Sequence, residues 1–455
     1  PSERGSLGTP LSLRRIAPDA AERNYSNVNN VQLRVLSVAM DTLETLGMPG
    51  TIPQCRTKYF ALPSVSSMVK TRMSWKRATA RVGMVVLIGW EAVQLSPAQA
   101  QRDPLLEGEA ARPRGRIDEL VWARLAELKI PPARDCSDSV FLRRVYLDVT
   151  GTLPTEAEVV RFLRDTSPDR RAKLIDALLE REEFADYWAM KWCDVLRVKA
   201  EFPVNLWPNG VQAYHRWIRD AIRTNLSYDQ FVRALLTTSG SNFRDPPVNF
   251  YRAAQGGDPV AVAQAVALTF MGVRPDRLPP QTLAGLAAFF TKIEFKGTGE
   301  WKESILVFNP ARVCTNPAVA ATPVFPDGTP AQIASGQDPR HVFAAWLIRP
   351  ENPWFARAIV NRVWAWLLGR GIVHEPDDVR DDNPPSNPAL LAYLTARLPQ
   401  LGWDLKALMR EILNSQTYQL APIPAVEHPQ AAAQFAYYPT RRLEAEVLMD
   451  ALCMI

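Results

Sequence analysis

Histidine and cysteine are scarce in this sequence of 455 residues, which has 4 histidines and 5 cysteines. Neither a Cys-x-x-Cys pair nor a Cys-x-x-Cys-His segment occurs anywhere in it. These spacings are typical of zinc ribbons and of covalently attached c-type haem. The sequence therefore lacks the signature of both groups, and we expect no covalent haem.

Excess charge and long apolar runs are missing from most of the chain. The formal net charge is +5, but residues 1–100 carry 12 Lys and Arg against 6 Asp and Glu, so the remainder is nearly neutral. A nucleic-acid-binding domain carries a basic patch, and we expect no nucleic acid as a partner. The apolar run at 82–90 is shorter than the roughly 20 residues that a membrane-spanning helix needs. We expect no transmembrane anchor in the mature chain.

A secretory signal peptide is predicted at 68–100. A basic segment from Met68 precedes the apolar run, and the stretch ends in Ala98-Gln99-Ala100. This order of basic, apolar and small residues is typical of exported proteins, with cleavage before Gln101. We expect residues 1–67 to be a disordered, non-native upstream extension, and the mature protein to be periplasmic or extracellular. The alternative for 82–90 is a buried core helix.

Apolar residues recur at helical spacing through most of the remaining chain, and turns rich in Pro, Gly and Asn separate the segments. This pattern predicts a mainly α, multi-helix fold with little strand. We expect one helical domain at 116–310, a Pro/Ala/Gly-rich linker at 311–339 and a second helical domain at 340–455. One short strand is predicted at Ile305–Phe308. The last helix reaches the end of the sequence without a stop signal, so we expect a truncated C-terminus.

The segment 351–394 is the most informative part of the second domain. Pro353 suits the first turn of a helix, and Gly369 suits its end. Apolar residues lie on two sides of this helix, which predicts that it is largely buried. Arg357 and Asn361 fall on it, and a buried polar side chain needs partners.

Polar and charged side chains crowd the loop that follows this helix. The candidate binding residues are Arg357 and Asn361 on the helix and His374, Glu375, Asp377, Asp378, Arg380, Asp382 and Asn383 in the loop. One interpretation is structural, with carboxylates paired to Arg357 or Arg362 and Asp or Asn forming turns. The other is a ligand site, because clustered carboxylates suit a hard cation such as calcium. The candidate metal ligands are then Asp377, Asp378 and Asp382.

Two further loops, 199–210 and 239–253, combine Asn, Pro and aromatic residues. They suit a carbohydrate-binding surface, where aromatic faces stack on sugars and amides bind hydroxyls, but they also suit ordered loops whose asparagines bind neighbouring backbone. Four cysteines follow the predicted cleavage point: Cys136, Cys193, Cys314 and Cys453. Export would permit disulfides, and four cysteines allow three pairings, which stay open.

Long motifs resemble a tandem pair of uncharacterised domains that is found in exported planctomycete proteins. The first domain is recognised in FLRRVYLDVTGTLPT, YDQFVRALL and SGSNFR, and the second in NPWFARAIVNRVWAWLLGRGIVHEPDDVRDDNPPSNPALLAYL, ILNSQTYQL and YYPTRRLEAEVLMDAL. The two are known as a cytochrome-associated domain and a planctomycete-specific domain, and the resemblance covers about 117–455. Many members carry a Cys-x-x-Cys-His-x-His-Pro element in the first domain. This chain has FMGVRPDRLPPQTLAGLAAFF there, so it resembles a subgroup without that element.

Three functions are compatible with these observations. The first is an exported helical binding or scaffold protein that acts with cell-surface glycans or other exported proteins. The second is a metal-assisted hydrolase or lyase with its site in the acidic loop, 374–383. The third is a cytochrome-associated redox partner, which is implied only by the family resemblance.

Overall fold

Short helices make up about half of the residues that the computed structural model describes, which are 105–200, 208–254 and 257–454, and loops make up most of the rest. The expected upstream extension, 1–67, and the expected signal peptide, 68–100, lie outside these residues. The mainly α prediction is confirmed.

The helices have the following bounds: α1 Arg116–Leu128, α2 Asp138–Val149, α3 Glu156–Arg164, α4 Arg170–Leu179, α5 Glu182–Val195, α6 Pro208–Arg223, α7 Tyr228–Thr237, α8 Asn249–Ala253, α9 Pro259–Val266, α10 Pro280–Ala287, α11 Pro339–Leu347, α12 Phe355–Leu368, α13 Pro388–Gln400, α14 Leu405–Asn414, α15 Gln416–Gln419 and α16 Ala445–Cys453. Short 3₁₀ turns cover Pro246–Val248, Pro275–Arg277 and Ala288–Phe290, and a π-helical turn, Ala267–Met271, continues α9. Among the described residues, no helix is both long enough and apolar enough to cross a membrane.

In the described part of the chain, five short strands form two small antiparallel sheets. Strand β1, Leu106–Ala110, pairs with β2, Arg134–Cys136. The second sheet has the order β3, Gly240–Ser241, then β5, Ser304–Phe308, then β4, Ile293–Gly297. The strand predicted at Ile305–Phe308 is confirmed as part of β5. Because β3 pairs with β5, the loop that begins at β3 lies beside the β4–β5 hairpin.

Helix α3 starts with a capping box. The Thr155 side chain accepts from the Glu158 backbone N–H, and the Glu158 carboxylate accepts from the Thr155 N–H at 2.8 Å. The Thr155 hydroxyl also donates to that carboxylate at 2.8 Å. Burial opposes ionisation of Glu158, but the Thr155 amide and the Arg181 guanidinium outweigh it and lower the Glu158 pKa to about 2. Helix α12 ends at Gly369, whose φ of 76° is a conformation that glycine adopts readily.

One principal hydrophobic core contains residues from both halves of the described chain. Trp366 of α12 packs edge-on against Trp188 and Trp192 of α5, with ring centroids 5.4 and 5.9 Å apart. The expected linker, 311–339, also contributes, because Phe325 stacks on Trp346 of α11 at 4.9 Å. Helices assigned from the sequence to two domains therefore share one core, and the proposed linker is packed against it.

The turn after α2 depends on a close approach that only glycine permits. Gly151 has a φ of +67°, and a Cβ added there would lie 2.5 Å from Cδ2 of Tyr187 on α5. We expect Gly151→Ala to lower the free energy of unfolding by about 2–4 kcal/mol, because left-handed strain and overpacking add. Denaturant unfolding measures this change.

The matched control is Gly328→Ala. Gly328 also has a positive φ, +85°, but a Cβ there meets nothing within 4 Å. We expect Gly328→Ala to lower the free energy of unfolding by about 1–2 kcal/mol, the cost of the backbone strain alone. Equal losses in the two variants would show that the contact with Tyr187 contributes nothing.

Candidate functional site

Asn361 ties the acidic loop to helix α12. Its side chain is fully buried. The amide nitrogen donates to the carbonyl oxygen of Val373 at 3.1 Å, and the amide oxygen accepts from the Val373 N–H at 2.9 Å. The partners that the sequence required for a buried Asn361 are therefore backbone groups of the loop itself.

Arg362, one residue further along α12, holds Asp377. The Arg362 side chain is only 5% exposed and forms an ion pair with the Asp377 carboxylate. The same guanidinium donates to the carbonyl oxygens of Thr269 and Leu268 at 2.8 and 3.2 Å. Both carbonyls belong to the π-helical turn after α9. One arginine therefore joins the acidic loop, α12 and this turn; the structural interpretation named Arg357 or Arg362 as the partner of a loop carboxylate, and the partner of Asp377 is Arg362.

The remaining carboxylates of the loop pair locally. Arg380 places its Nε 3.1 Å from Asp378 and its Nη1 2.6 Å from Asp382. The Asn383 side-chain amide donates to the carbonyl oxygens of His374 and Asp378 at 2.8 and 2.9 Å. These contacts form a turn closed by its own side chains.

Arg357, His374 and Glu375 stand apart from this arrangement. His374 and Glu375 are both exposed, with 3.8 Å between His374 Nε2 and the Glu375 carboxylate. The Nε of Arg357 is buried without a hydrogen-bond partner. Burial lowers the pKa of Arg357, and Asp381 opposes this shift. The structure thus uses Arg362, not Arg357, to hold the loop.

Asp377, Asp378 and Asp382 are not gathered around a common point, since Asp377 turns to Arg362 while the other two turn to Arg380. Within residues 105–200, 208–254 and 257–454, no group of three or more His, Cys, Asp and Glu side chains is placed to hold a metal ion. Calcium binding by this loop stays a prediction.

A second polar cluster, the Asp148 cluster, was missed by sequence reasoning. Asp148 on α2 is buried, and its Oδ2 accepts from the hydroxyls of Tyr418 and Tyr438, each at 2.8 Å. Its Oδ1 accepts from Arg441. The guanidinium of Arg144, one helical turn before Asp148, lies 3.7 Å from the ring centroid of Tyr438. The sequence signal for this cluster was the pair Arg144 and Asp148, two charged residues at positions i and i+4 of a helix that is otherwise largely apolar.

A further ion pair, with one half-exposed member, lies at the edge of the Asp148 cluster. Lys191 of α5 is buried and forms an ion pair with the half-exposed Glu444, which precedes α16. Its ammonium lies 4.7 Å from the ring centroid of Tyr187. Burial lowers the Lys191 pKa, and Glu444 opposes that shift. Burial raises the Tyr187 pKa, and Glu444 adds to it.

The loop 239–253 uses its asparagines internally. Asn242 and Asn249 are fully buried. Asn249 donates from its side-chain amide to the Asn242 carbonyl at 2.7 Å, and the Asn242 amide oxygen accepts from the Ser304 N–H at 2.8 Å. Both asparagines therefore bind neighbouring backbone, which is the second of the two interpretations of this loop. Of the other loop, 199–210, residues 201–207 lie outside the described part of the chain.

The β4–β5 hairpin beside that loop presents Trp301. This side chain is 68% exposed and is the only exposed tryptophan among the described residues. Nearby, the Glu303 carboxylate accepts from the hydroxyls of Ser241 and Thr298 at 2.5 and 2.8 Å. The Ser241 hydrogen bond, followed by that of Thr298, lowers the Glu303 pKa. Arg244, which is strongly exposed, has its Nε 3.8 Å from Glu303.

None of the three possible disulfide pairings is present among the four cysteines that the structure describes. Cys136, Cys193, Cys314 and Cys453 are all free thiols. Burial raises the pKa of Cys136 and raises that of Cys193 to about 12. Because the thiolate is the reactive form, both thiols are expected to be weak nucleophiles.

Two family models match the chain in tandem. PSCyt2, described as a protein of unknown function (DUF1549), matches residues 116–277, and PSD1, described as a protein of unknown function (DUF1553), matches residues 339–455. The predicted tandem pair is confirmed. No curated protein and no solved structure matches the chain. Asp148 lies in the first matched segment, and Tyr418, Tyr438 and Arg441 lie in the second, so the Asp148 cluster joins the two.

The acidic loop yields a stability prediction. Asp377→Ala should lower the free energy of unfolding by about 1–3 kcal/mol, because it leaves a buried guanidinium short of an acceptor. Asp382→Ala is the control, since Asp382 is 72% exposed and exposed pairs contribute about 0–1 kcal/mol. Denaturant unfolding checks both. A calcium-dependent rise in Tm that Asp377→Ala abolishes would contradict the structural interpretation.

The Asp148 cluster yields a larger effect. Asp148→Asn should cost about 3 kcal/mol, because it breaks a buried ion pair and presents an amide N–H₂ where two hydroxyls donate. Asp186→Asn, which breaks an exposed pair with Arg219, should cost under about 1 kcal/mol. Thermal and denaturant unfolding measure both variants, and comparable losses would argue against a joining role for Asp148.

Proposed function

The chain belongs to the proteins that carry the PSCyt2 and PSD1 domains in tandem. We propose that it is an exported helical binding protein whose ligands are cell-surface glycans. Export is supported by the basic segment, apolar run and Ala98-Gln99-Ala100 at 68–100. Other exported proteins are the alternative class of partner.

The observation that carries this proposal is the exposure of Trp301. A large aromatic ring costs free energy when it faces water, and the other described tryptophans are buried or half-buried. An indole presents a flat apolar face and one N–H donor, a combination that is favoured at binding surfaces. Stacking on the apolar face of a sugar ring would use both properties.

Polar groups around the hairpin suit hydroxyl recognition. The exposed guanidinium of Arg244 offers several donors, whereas the nearby Glu303 carboxylate is buried and occupied by the hydroxyls of Ser241 and Thr298. The ammonium of Lys302 lies 5.8 Å from the Trp301 ring centroid. An aromatic platform bordered by donors suits the hydroxyls of a neutral saccharide.

The ion pairs of the acidic loop argue against hydrolysis there. Glycoside hydrolysis needs two carboxyl groups that face a common space, whereas Asp377, Asp378 and Asp382 each face an arginine. The binding proposal requires no such pair. Trp301 also lies between the two matched family segments, so glycan binding would be a property of the connecting region.

Isothermal titration with neutral hexasaccharides of glucose, mannose and N-acetylglucosamine tests the proposal. We expect one of these to bind and Trp301→Ala to weaken it by about tenfold, the loss of one good contact. Trp301→Phe should retain most of the affinity because it keeps a ring. The control is Val313→Ala, which removes another exposed apolar side chain and should change nothing.

Two results would count against the proposal. Equal affinity in the wild type and Trp301→Ala would exclude the hairpin as the binding surface. Release of reducing ends during incubation with the hexasaccharides, abolished by Asp377→Ala, would favour the hydrolase instead.

A further inference from the structure

A small apolar cavity lies at the junction of the two matched family segments. Its walls come from α5, from the end of α6 and the turn that follows it, from α7 and from α14. Helices α5, α6 and α7 belong to the first matched segment, and α14 belongs to the second. The cavity has a volume of about 40 Å³. A ligand bound here contacts both segments.

Buried aromatic residues form one side of the cavity. Trp188 and Trp192 of α5 line it together with Tyr228 and Phe231 of α7. The ring centroid of Trp192 lies 5.2 Å from that of Phe231 and 5.9 Å from that of Tyr228. All four side chains are buried. Because close packing with the core fixes these rings, the wall does not collapse into the empty space.

The rim of the cavity combines an apolar surface with neutral polar groups. Leu226, in the turn between α6 and α7, lines the cavity and is 41% exposed. Beside it, Asn225 is exposed, and its amide offers both donors and an acceptor. Lys406 of α14 lies over the ring of Phe184, and its ammonium is paired with Glu180 at 3.2 Å. Since the one lining cation is already paired, the rim favours an uncharged polar group.

Water is poorly suited to this space. A buried water molecule needs two to four polar partners, whereas most residues that line the cavity are apolar or aromatic. Asn225 lies at the exposed rim, and the Lys406 ammonium is directed at Glu180. Apolar cavities with few polar partners stay dry and accept apolar guests. The cavity therefore suits a hydrocarbon group.

We propose that this cavity binds the end of an aliphatic chain with a neutral hydroxyl head, the hydroxyl lying beside Asn225. The volume limits the length of chain inside. One water-sized guest needs roughly 10–15 Å³ of such space, so the cavity accepts about three carbon atoms. Each methylene that leaves water for the apolar interior adds to the affinity. This site is separate from the Trp301 hairpin and does not depend on the proposed function.

Titration of the full chain with primary alcohols from ethanol to hexanol tests the site. Protein labelled with ¹⁵N-tryptophan reports binding through its indole N–H resonances. We expect saturable shifts of the Trp188 and Trp192 signals and none of the Trp301 signal. Affinity should rise about fourfold for each methylene added as far as butanol, and by less than about twofold beyond it, because further carbons lie outside the cavity.

The longer alcohols distinguish the end of a chain from a free small molecule. Pentanol and hexanol should bind at least as tightly as butanol, because the cavity is open at its rim. Exclusion of these two alcohols would overturn the chain-end ligand, since a closed cavity admits only a small free molecule. A fourfold rise that continues through hexanol, with shifts of the Trp301 signal, would also overturn the proposal, because it indicates partition onto the surface.

Two variants with a matched control locate the site. Ala221 lines the cavity and is buried, so Ala221→Leu places three more carbon atoms there and should weaken butanol binding by at least about tenfold. Met409→Ala enlarges the cavity and should bind hexanol at least about fourfold more tightly than the wild type. The control, Ala157→Leu, adds the same side chain to the exposed surface of α3 and should leave the affinity within about twofold.

Wild-type affinity for butanol in Ala221→Leu would show that the alcohol binds elsewhere. A loss in Ala157→Leu as large as that in Ala221→Leu would have the same meaning. Thermal unfolding establishes that each variant is folded. If Ala221→Leu does not fold, Met409→Ala decides the question, because an unchanged affinity for hexanol in that variant contradicts binding in the cavity.

Discussion

The buried carboxylate of Asp148 is the constraint on which much of the described structure depends. A charge removed from water must be paired and hydrogen-bonded, or it destabilises the folded state strongly. Asp148 satisfies this requirement only when Tyr418, Tyr438 and Arg441 approach it together. These residues come from distant parts of the sequence, so satisfying one carboxylate fixes the C-terminal segment against α2.

Arg362 and Asn361 apply the same rule at the acidic loop. Each is buried on α12, and each binds atoms of the acidic loop. Arg362 also reaches carbonyl oxygens of the π-helical turn. Of the acidic residues that resemble a ligand site in the sequence, Asp377 is the partner of the buried Arg362, and Asp378 and Asp382 pair with the partly exposed Arg380. The two matched family segments meet through the Arg362 contacts as well as through shared aromatic packing.

The surface proposed for glycan binding depends on a different property. The Trp301 side chain on its hairpin is 68% exposed, an exposure that the fold itself does not require. Apolar area left in water is unfavourable. A ligand that covers the indole face would remove that unfavourable free energy.

The sequence by itself determined the mainly helical fold, the capping box at Thr155, the glycine end of α12 and the tandem family pair, whereas Pro353, expected in the first turn of α12, precedes that helix. These depend on local periodicity, on glycine at positions such as Gly369, and on motifs such as Thr155 with Glu158, all readable from neighbouring residues. Only the tertiary structure decided that Arg362 holds Asp377 while Arg357 does not, because the two arginines are near neighbours on one helix. Only it brought Asp148 to Tyr438, or Lys406 to Phe184. Such pairings join residues far apart in sequence, and packing selects them after the helices have formed.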